Sequence, residues 1–496
     1  MVRHAFETRR TLGQMHLGPP KLYAELYTIG ASSPLFVRHA VCGWAVMKLT
    51  TLPFQRAALH GAYGAGLTPQ AVMAEALRRL EAADDPGIFL DVAPPEVIAA
   101  AISALPGFDP VAYPLWGLPV AVKDNIALAG RPMTAACPDF SHVPAEDAEV
   151  VRRLRAAGAI ILGKTNLDQF ATGLVGVRTP YPVPRNAISA EHVPGGSSSG
   201  SAVAVARGIV TLALGTDTAG SGRVPAALNG IVGLKPSVGA VSTRGVVPAC
   251  RSLDCVSVFA TCLEDAWAGF AVLAGEDRAD PFSRPITWRE PGIAPARIAI
   301  PRAADTHLDD AAGRAAWVAA LGLLPSAQEA AITDMLDAAK LLYEGPWVAE
   351  RAAAFGDFAR AHPGALHPVT QKIIDGANGF SAVDAFRGMY KLAEYRRVAE
   401  DFFAAHDVLV VPSVPCFPTL AALAADPFAP NARLGVYTNF VNLLDLAALA
   451  LPGPKRPDGL PAGITLIGPR GTDAALMAFA QEFTRRQAAA EKAVAA

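Results

Sequence analysis

The sequence predicts an α/β protein in which helices cover both faces of a mixed central β-sheet. Short apolar segments of strand length alternate with segments whose apolar residues recur at helical spacing, a pattern that favours a sheet packed against helices. The chain has 496 residues and is 52% hydrophobic, so it can bury a large core. Residues 301–397 are rich in alanine and predict a helical insertion rather than a separate domain.

The first 46 residues are basic and show neither helical nor alternating periodicity. We therefore predict that residues 1–46 are a leader or a disordered upstream segment, and that one domain extends over residues 47–496. After this segment, Thr68-Pro69 is typical of a helix N-cap followed by proline at the first helical position, and Pro94-Pro95 indicates a second helix start.

The rest of the chain alternates between predicted strands and helices. Strands are predicted over residues 118–122, 159–162, 209–214, 253–260, 298–301 and 408–411. Helices are predicted from about residue 146 to 158 and over residues 166–172, 201–207, 264–274, 329–342 and 474–486. Because ligands bind at the carboxyl ends of strands in open α/β sheets, the loop after residue 214 is expected to lie at a site.

Composition excludes several classes of protein. The 43 basic and 45 acidic side chains nearly cancel, so we expect a small substrate and neither nucleic acid nor a membrane surface as partner. No apolar run is long enough to cross a bilayer. The six cysteines are scattered, without CxxC pairs or histidine partners at ligand spacing, which predicts reduced thiols in a cytoplasmic protein without a metal site.

Two turns rich in glycine and serine, at residues 195–201 and 215–223, carry the predicted chemistry. Composition alone is equally compatible with linkers. Apolar, strand-like segments flank both turns, and glycines let backbone N–H groups converge on a developing oxyanion. A serine nucleophile also needs a base, and burial at a strand end can leave Lys123 neutral. Lys123, Ser197 and Ser221 can thus supply a nucleophile, a relay and a base.

Lys123, Gly195-Gly196-Ser197-Ser198 and residues 215–221 together resemble the amidase signature family, from about residue 47 to residue 486. The resemblance implies the amidase-signature fold and a Ser–cis-Ser–Lys triad. In this triad Ser221 is the nucleophile, Ser197 follows a cis peptide bond and relays the proton, and Lys123 is the base. No metal or organic cofactor is implied.

Further residues are predicted to shape the site. The candidate oxyanion-hole donors are the backbone amides of Thr218, Ala219, Gly220 and Ser221. Asp217 is expected to pair with Arg223 and hold the second turn, the alternative being that Arg223 touches the substrate. Ser198 and Ser199 are expected to support the first turn by hydrogen bonds.

Residues 244–257, 341–351 and 437–444 are similar to allophanate hydrolases within this family. In that subfamily a tyrosine and an arginine hold the substrate carboxylate, and they correspond to Tyr343 and Arg351. The resemblance implies hydrolysis of allophanate to ammonia and N-carboxycarbamate in urea or s-triazine nitrogen catabolism, coupled to a urea carboxylase or biuret hydrolase. We also expect a homodimer, and an amidase domain without the C-terminal domain that allophanate hydrolases commonly carry.

Several alternatives remain open at this point. The chain could be another amidase acting on a malonamate-like substrate, a glutamine amidotransferase subunit, or a non-catalytic scaffold that keeps the amidase shell. Tyr343 and Arg351 argue against the amidotransferase. Residues 158–165 also match the phosphate-loop pattern GxxxxGK[ST], but their middle is predicted to be a strand, which argues against a nucleotide site.

Overall fold

The structure, a computed structural model, describes residues 48–289 and 296–495. The predicted leader over residues 1–46 lies outside the described residues. Within them the chain forms one 11-stranded sheet. Its strands are β1 (Phe89–Val92), β2 (Pro119–Lys123), β3 (Ile160–Thr165), β4 (Leu212–Asp217), β5 (Val232–Lys235), β6 (Cys255–Ala260), β7 (Ile298–Pro301), β8 (Gln328–Ala330), β9 (Val408–Pro412), β10 (Leu446–Pro452) and β11 (Gly463–Pro469).

The sheet is mixed, with the order β1-β3-β2-β4-β6-β5-β10-β11-β9-β7-β8. Strand β2 runs parallel to both β3 and β4, and β7 runs parallel to both β8 and β9, whereas the other neighbours are antiparallel. Because β2 and β4 are parallel neighbours, their carboxyl ends at Lys123 and Asp217 meet at the same edge of the sheet.

Helices accompany the sheet along the whole described chain. They are α1 (Arg56–Gly64), α2 (Pro69–Ala83), α3 (Pro95–Ser103), α4 (Glu149–Ala156), α5 (Ser199–Ala206), α6 (Val224–Leu228), α7 (Leu263–Leu273), α8 (Ala311–Leu321), α9 (Thr333–Lys340), α10 (Val348–Ala361), α11 (Pro368–Asp375), α12 (Ala382–Ala405), α13 (Leu420–Ala425), α14 (Ala429–Leu434), α15 (Asn439–Leu443) and α16 (Asp473–Ala495). Among the residues the structure describes, no helix is both long and apolar enough to span a membrane.

Alternate residues of the strands pack into two separate hydrophobic clusters. In β9, Val408 and Val410 join a cluster that includes Phe483 of α16, whereas Leu409 and Val411 join a second cluster that includes residues of α9. Successive side chains of a strand point to opposite faces of the sheet. Helices therefore cover both faces, and the predicted α/β class is confirmed.

Helix α2 begins as predicted. Pro69 occupies its first position, where the missing N–H has no intrahelical partner to lose, and the Thr68 hydroxyl accepts a hydrogen bond from the Ala71 amide at 3.3 Å. The predicted helix over residues 166–172 is wrong. Only a short 3-10 turn forms there, at Gln169–Ala171, because Phe170 and Ala171 adopt positive φ angles of 51° and 52°, which no α-helix continues.

Residues 301–397 are mostly helical, through α8 to α12. The same stretch also contributes β8, which pairs with β7 at the edge of the sheet. The helix predicted over residues 329–342 therefore starts late, at Thr333. Lys164, the lysine of the phosphate-loop match, lies inside β3. Its buried Nζ is 2.9 Å from Asp124 Oδ1, so Lys164 forms an ion pair within the fold.

Candidate active site

Lys123 ends β2 with a fully buried side chain. Its Nζ donates hydrogen bonds to the hydroxyl oxygens of Ser197 at 2.7 Å, Thr216 at 2.8 Å and Ser198 at 3.0 Å. A neutral amine has two N–H donors and one lone pair, so in that form one of the three hydroxyls must donate to Lys123 instead. Ser197 makes the shortest of these contacts.

The environment of Lys123 favours that neutral form. Burial lowers the pKa of Lys123 to about 7, although the carboxylates of Asp168, Asp254 and Asp217 oppose the shift by favouring the ammonium. A lysine in water is almost fully protonated at this pH. At neutral pH Lys123 is therefore able to accept a proton.

Ser197 lies in the glycine-rich turn before α5. The peptide bond between Gly196 and Ser197 is cis, which is the geometry that the family resemblance implies. The turn is tightly enclosed, since a Cβ atom at position 196 would clash with Asp168 Oδ2 and with the amide nitrogen of Gly176. Only glycine fits at this position, and this close packing holds Ser197 against Lys123.

Ser198 and Ser199 tie this turn to its neighbours. Ser198 Oγ donates to the Thr216 carbonyl at 3.2 Å and accepts from the Thr216 amide at 3.3 Å, in addition to its contact with Lys123. Ser199 Oγ donates to the Asn166 carbonyl at 3.5 Å. Ser198 thus links the turn to β4 and also to the lysine.

Ser221 lies in the loop between β4 and α6 and is 3% exposed. Its hydroxyl donates to the carbonyl oxygen of Gly173 at 3.4 Å, a long distance for such a bond. The structure therefore brings Lys123 and Ser197 into direct contact, while Ser221 is hydrogen-bonded to Gly173. Proton transfer from Ser221 to Ser197 requires the Ser221 hydroxyl to turn away from Gly173.

The Asp217 carboxylate holds the loop of Ser221. Arg223 donates to both of its oxygens at 2.9 Å, and both side chains are fully buried. The amides of Gly220 and Gly222 donate to the same carboxylate at 2.8 and 3.0 Å. Burial acts to raise the pKa of Asp217, but the charge and hydrogen bonds of Arg223 outweigh it, so the pKa lies below its usual value.

These contacts change the predicted set of oxyanion donors. The sequence predicts the Gly220 amide as one of these donors, but its N–H donates to the Asp217 carboxylate instead. The amides of Thr218, Ala219 and Ser221 make no hydrogen bond within the described part of the chain. Gly220 is therefore removed from the candidate donors, and the other three remain.

Arg351 projects from α10 and is fully buried. Its Nη2 donates to the Tyr343 hydroxyl at 3.1 Å and its Nη1 to Thr172 Oγ1 at 3.1 Å, while its Nε has no partner among the described residues. Both partners are neutral groups. The structure thus brings Tyr343 and Arg351 together, and no carboxylate of residues 48–289 or 296–495 lies within 4.0 Å of the guanidinium nitrogens.

Most of the chain matches one known protein family. The sequence model of the family described as Amidase matches residues 71–477. The chain belongs to the amidase signature family. The predicted family is confirmed.

Individual relatives of this amidase agree with that assignment. The chain is 50% identical over 391 residues to the urea amidolyase of Saccharomyces cerevisiae. The alignment covers 75% of this chain but only 21% of the yeast protein. The chain is 36% identical over 408 residues to a glutamyl-tRNA(Gln) amidotransferase subunit of Symbiobacterium thermophilum, over 75% of this chain and 83% of that protein. The allophanate hydrolase of Kluyveromyces lactis superposes with a TM-score of 0.81 at 42% identity, over 86% of this chain and 72% of that chain.

Asp254 is a residue of the candidate site that the sequence did not single out. Its buried carboxylate accepts hydrogen bonds from the Thr218 hydroxyl at 2.5 Å and from the amides of Ala249 and Cys250 at 2.8 and 3.2 Å. Burial raises the pKa of Asp254 to about 6. It lies within the segment 244–257 used for the resemblance, but a single aspartate in a loop carries no signal of its own.

Aromatic packing positions the amidase helix that carries Arg351. One turn along α10, Phe355 stacks on Phe170, with ring centroids 4.2 Å apart and an interplanar angle of 10°. Phe140 packs edge-on against Phe170 at 5.1 Å and against Phe358 at 5.2 Å. The unusual left-handed turn at Phe170 thus supplies the ring on which the Arg351 helix rests.

Proposed function

We propose that this amidase hydrolyses allophanate, the carboxylated derivative of urea, to ammonia and N-carboxycarbamate. The observation that carries the proposal is the Arg351 guanidinium, which is fully buried and bonded to neutral groups. A buried cation without a carboxylate in direct contact is costly and favours a ligand that brings one. Allophanate carries a carboxylate and a terminal amide on one small molecule, and the similarity to the allophanate hydrolase of Kluyveromyces lactis supports the same substrate.

In the first half of the proposed reaction, Ser221 Oγ attacks the carbonyl carbon of the terminal amide. The Ser221 proton passes to Ser197 Oγ, and Ser197 passes its own proton to neutral Lys123. The carbonyl oxygen becomes an oxyanion that the amides of Thr218, Ala219 and Ser221 stabilise. At this stage Lys123 is an ammonium and Ser221 is bonded to the substrate carbon.

In the second half, Lys123 returns the proton through Ser197 to the amide nitrogen, the C–N bond breaks and ammonia leaves. The acyl group stays on Ser221. Water then attacks this ester, giving one proton back along the same route, and Ser221 leaves as a hydroxyl. The balance is one water consumed for each ammonia and each carboxylated product formed.

Tyr343 and Arg351 act on the other end of the substrate. Arg351 provides a planar pair of N–H donors that suits a carboxylate. The Tyr343 hydroxyl accepts from Arg351, so its own proton is free to be donated to the same carboxylate. Held in this way, the substrate presents its terminal amide to Ser221.

Ammonia release from allophanate by the purified protein tests this proposal, beside malonamate, biuret and glutamine. We expect strong turnover of allophanate that Ser221→Ala abolishes, and covalent labelling by a fluorophosphonate in the parent protein but not in Ser221→Ala. Arg351→Gln should raise KM for allophanate. Preference for glutamine, or full activity in Ser221→Ala, would overturn the assignment.

A second candidate is a glutamine amidotransferase subunit, which the 36% identity over 83% of the Symbiobacterium protein favours. Glutamine carries an ammonium group beside its carboxylate. Among the contacts of Arg351 described above there is no carboxylate that could pair with this ammonium group. The glutamine arm of the assay separates the two candidates.

We further infer that the enzyme works in the cytoplasm as a homodimer, functionally coupled to a urea carboxylase or a biuret hydrolase. The identity to the yeast urea amidolyase supports the coupling. The five cysteines within the described residues are all free, which fits a reducing compartment. Light scattering of the purified protein tests the homodimer, and a monomer mass would contradict it.

A further inference from the structure

Two buried guanidinium groups flank Thr172. Arg178 Nη1 donates to the Thr172 carbonyl at 3.0 Å, and Arg351 Nη1 donates to the Thr172 hydroxyl at 3.1 Å. Arg178 is 2% exposed, and its other guanidinium contact is the carbonyl of Pro427 at 3.1 Å. Among the described residues, neither guanidinium forms an ion pair with a carboxylate within 4.0 Å.

Like charges that share one buried neighbour repel each other, and both have lost their hydration. Carbonyl and hydroxyl oxygens compensate only in part. Asp168 offsets some of this charge, but its carboxylate accepts the backbone amides of Gly176 and Arg178 at 2.9 Å rather than a guanidinium. A substrate carboxylate near Thr172 would relieve the repulsion.

Arg178 and Tyr343 line a cavity of about 780 Å³ that none of the three triad residues lines. Most other charged groups of its wall are paired. The pairs are Asp305 with Arg302, Asp337 with Lys340, and Arg433 with Asp309. Of the remainder, Glu344 and Lys372 are both exposed, and Lys372 Nζ lies 4.6 Å from the ring centroid of Phe428.

We propose that Lys372, Arg178 and Arg351 form a path of cations that draws the substrate carboxylate through this cavity to the triad. The inference rests on the proposed function, because only a substrate with a carboxylate can use the path. Exposure falls from Lys372 through Arg178 to Arg351, and a charge acts more strongly as water is excluded around it. Arg178 determines specificity on the way in, and Arg351 holds the carboxylate at the end.

The test compares malonamate, which has a carboxylate, with the neutral diamide malonamide. We expect Arg178→Gln to lower kcat/KM for malonamate about tenfold or more, the size of one lost charged hydrogen bond, and to lower kcat/KM for malonamide much less, so that the ratio between the two substrates falls. Arg178→Lys should recover part of the loss. Lys372→Gln should lower kcat/KM for malonamate about twofold and weaken its dependence on ionic strength.

Arg278→Gln is the control for charge, because the substitution removes the same unit charge. Arg278 is 91% exposed and does not line the cavity. An equal loss on both substrates in Arg178→Gln would show a structural role and overturn the path. If Arg351→Gln abolishes the preference for malonamate while Arg178→Gln and Lys372→Gln keep it, the path is wrong and the proposed function stands. If Arg351→Gln also keeps the preference, the proposed function fails with it.

Discussion

Lys123 Nζ and Ser197 Oγ lie 2.7 Å apart at the edge where the parallel strands β2 and β4 both end. This contact joins residues 74 positions apart in the chain. It depends on the enclosed glycine at position 196 on one side and on burial of the lysine on the other. If the proposed mechanism holds, the reactivity of the site depends on the protonation of this one buried amine.

The rate should follow the ionisation of Lys123. Because only the neutral amine accepts a proton and its pKa is lowered to about 7, kcat/KM should rise as pH increases through 7 and then level off. The measurement is a pH profile of kcat/KM with a substrate that does not itself ionise, such as malonamide. A profile that is flat across neutral pH would contradict the assignment of Lys123 as the base.

Asp254 should influence that profile from a distance. Its charge raises the pKa of Lys123. Asp254→Asn should therefore lower that pKa, so that the rise of kcat/KM with pH occurs at lower pH. The same variant loses a charged acceptor for the Thr218 hydroxyl, which should lower kcat more than it raises KM. Thr218→Val is the companion variant, because it removes the hydroxyl alone. If Asp254→Asn lowers kcat but the rise of kcat/KM with pH stays at the same pH, Asp254 has a structural role only.

Ser198→Ala should be milder than Ser197→Ala. Both serines contact Lys123, but in the proposed mechanism only Ser197 relays the proton. Ser198→Ala removes the contact with Lys123 and two hydrogen bonds to the Thr216 backbone. Because each neutral hydrogen bond is worth about 1 kcal/mol and none of the three belongs to the proposed relay, we expect a smaller loss of kcat than in Ser197→Ala. Steady-state assays of both variants provide the comparison. Equal losses would mean that the two serines share the relay.

The Asp217–Arg223 pair should contribute strongly to stability. Removing one partner leaves a buried charge unpaired, so Arg223→Met should lower the free energy of unfolding by about 3–5 kcal/mol. Chemical denaturation measures the change. The control is Lys391→Gln, which breaks an exposed pair with Glu394 and should leave the free energy of unfolding almost unchanged.

The Phe170–Phe355 stack should control substrate binding without touching the substrate. Phe355→Ala should destabilise the protein by about 3–5 kcal/mol and raise KM for malonamate, because α10 carries Arg351. Phe355→Leu fills much of the space and should recover stability and KM together. Thermal unfolding and KM measured on both variants test this. A change in stability with KM unaffected in Phe355→Ala would uncouple the stack from Arg351.

The sequence indicated the strands and turns of the site well, because their signals are local. The apolar run ending at Lys123 and the proline at the start of α2 each act through the few residues beside them. Contacts made across the fold carry no such signal. Asp254 reaches Thr218 from a distant loop, Arg351 reaches Thr172 across 179 positions, and the turn at Phe170 depends on rings from α10. The commitment of the Gly220 amide to Asp217 likewise becomes visible only in three dimensions.

The cavity beside Tyr343 holds about 780 Å³, a volume in the range of sites for drug-sized ligands and larger than the proposed urea derivative needs on its way to the triad. Exclusion by size therefore does little to select a substrate of this kind. In the mechanism we propose, selection depends on charge, which is concentrated on a few side chains of the cavity wall and α10. A scaffold arranged in this way can acquire a new amide substrate by exchanging those few side chains, while the serines, the lysine and the sheet edge that holds them stay as they are.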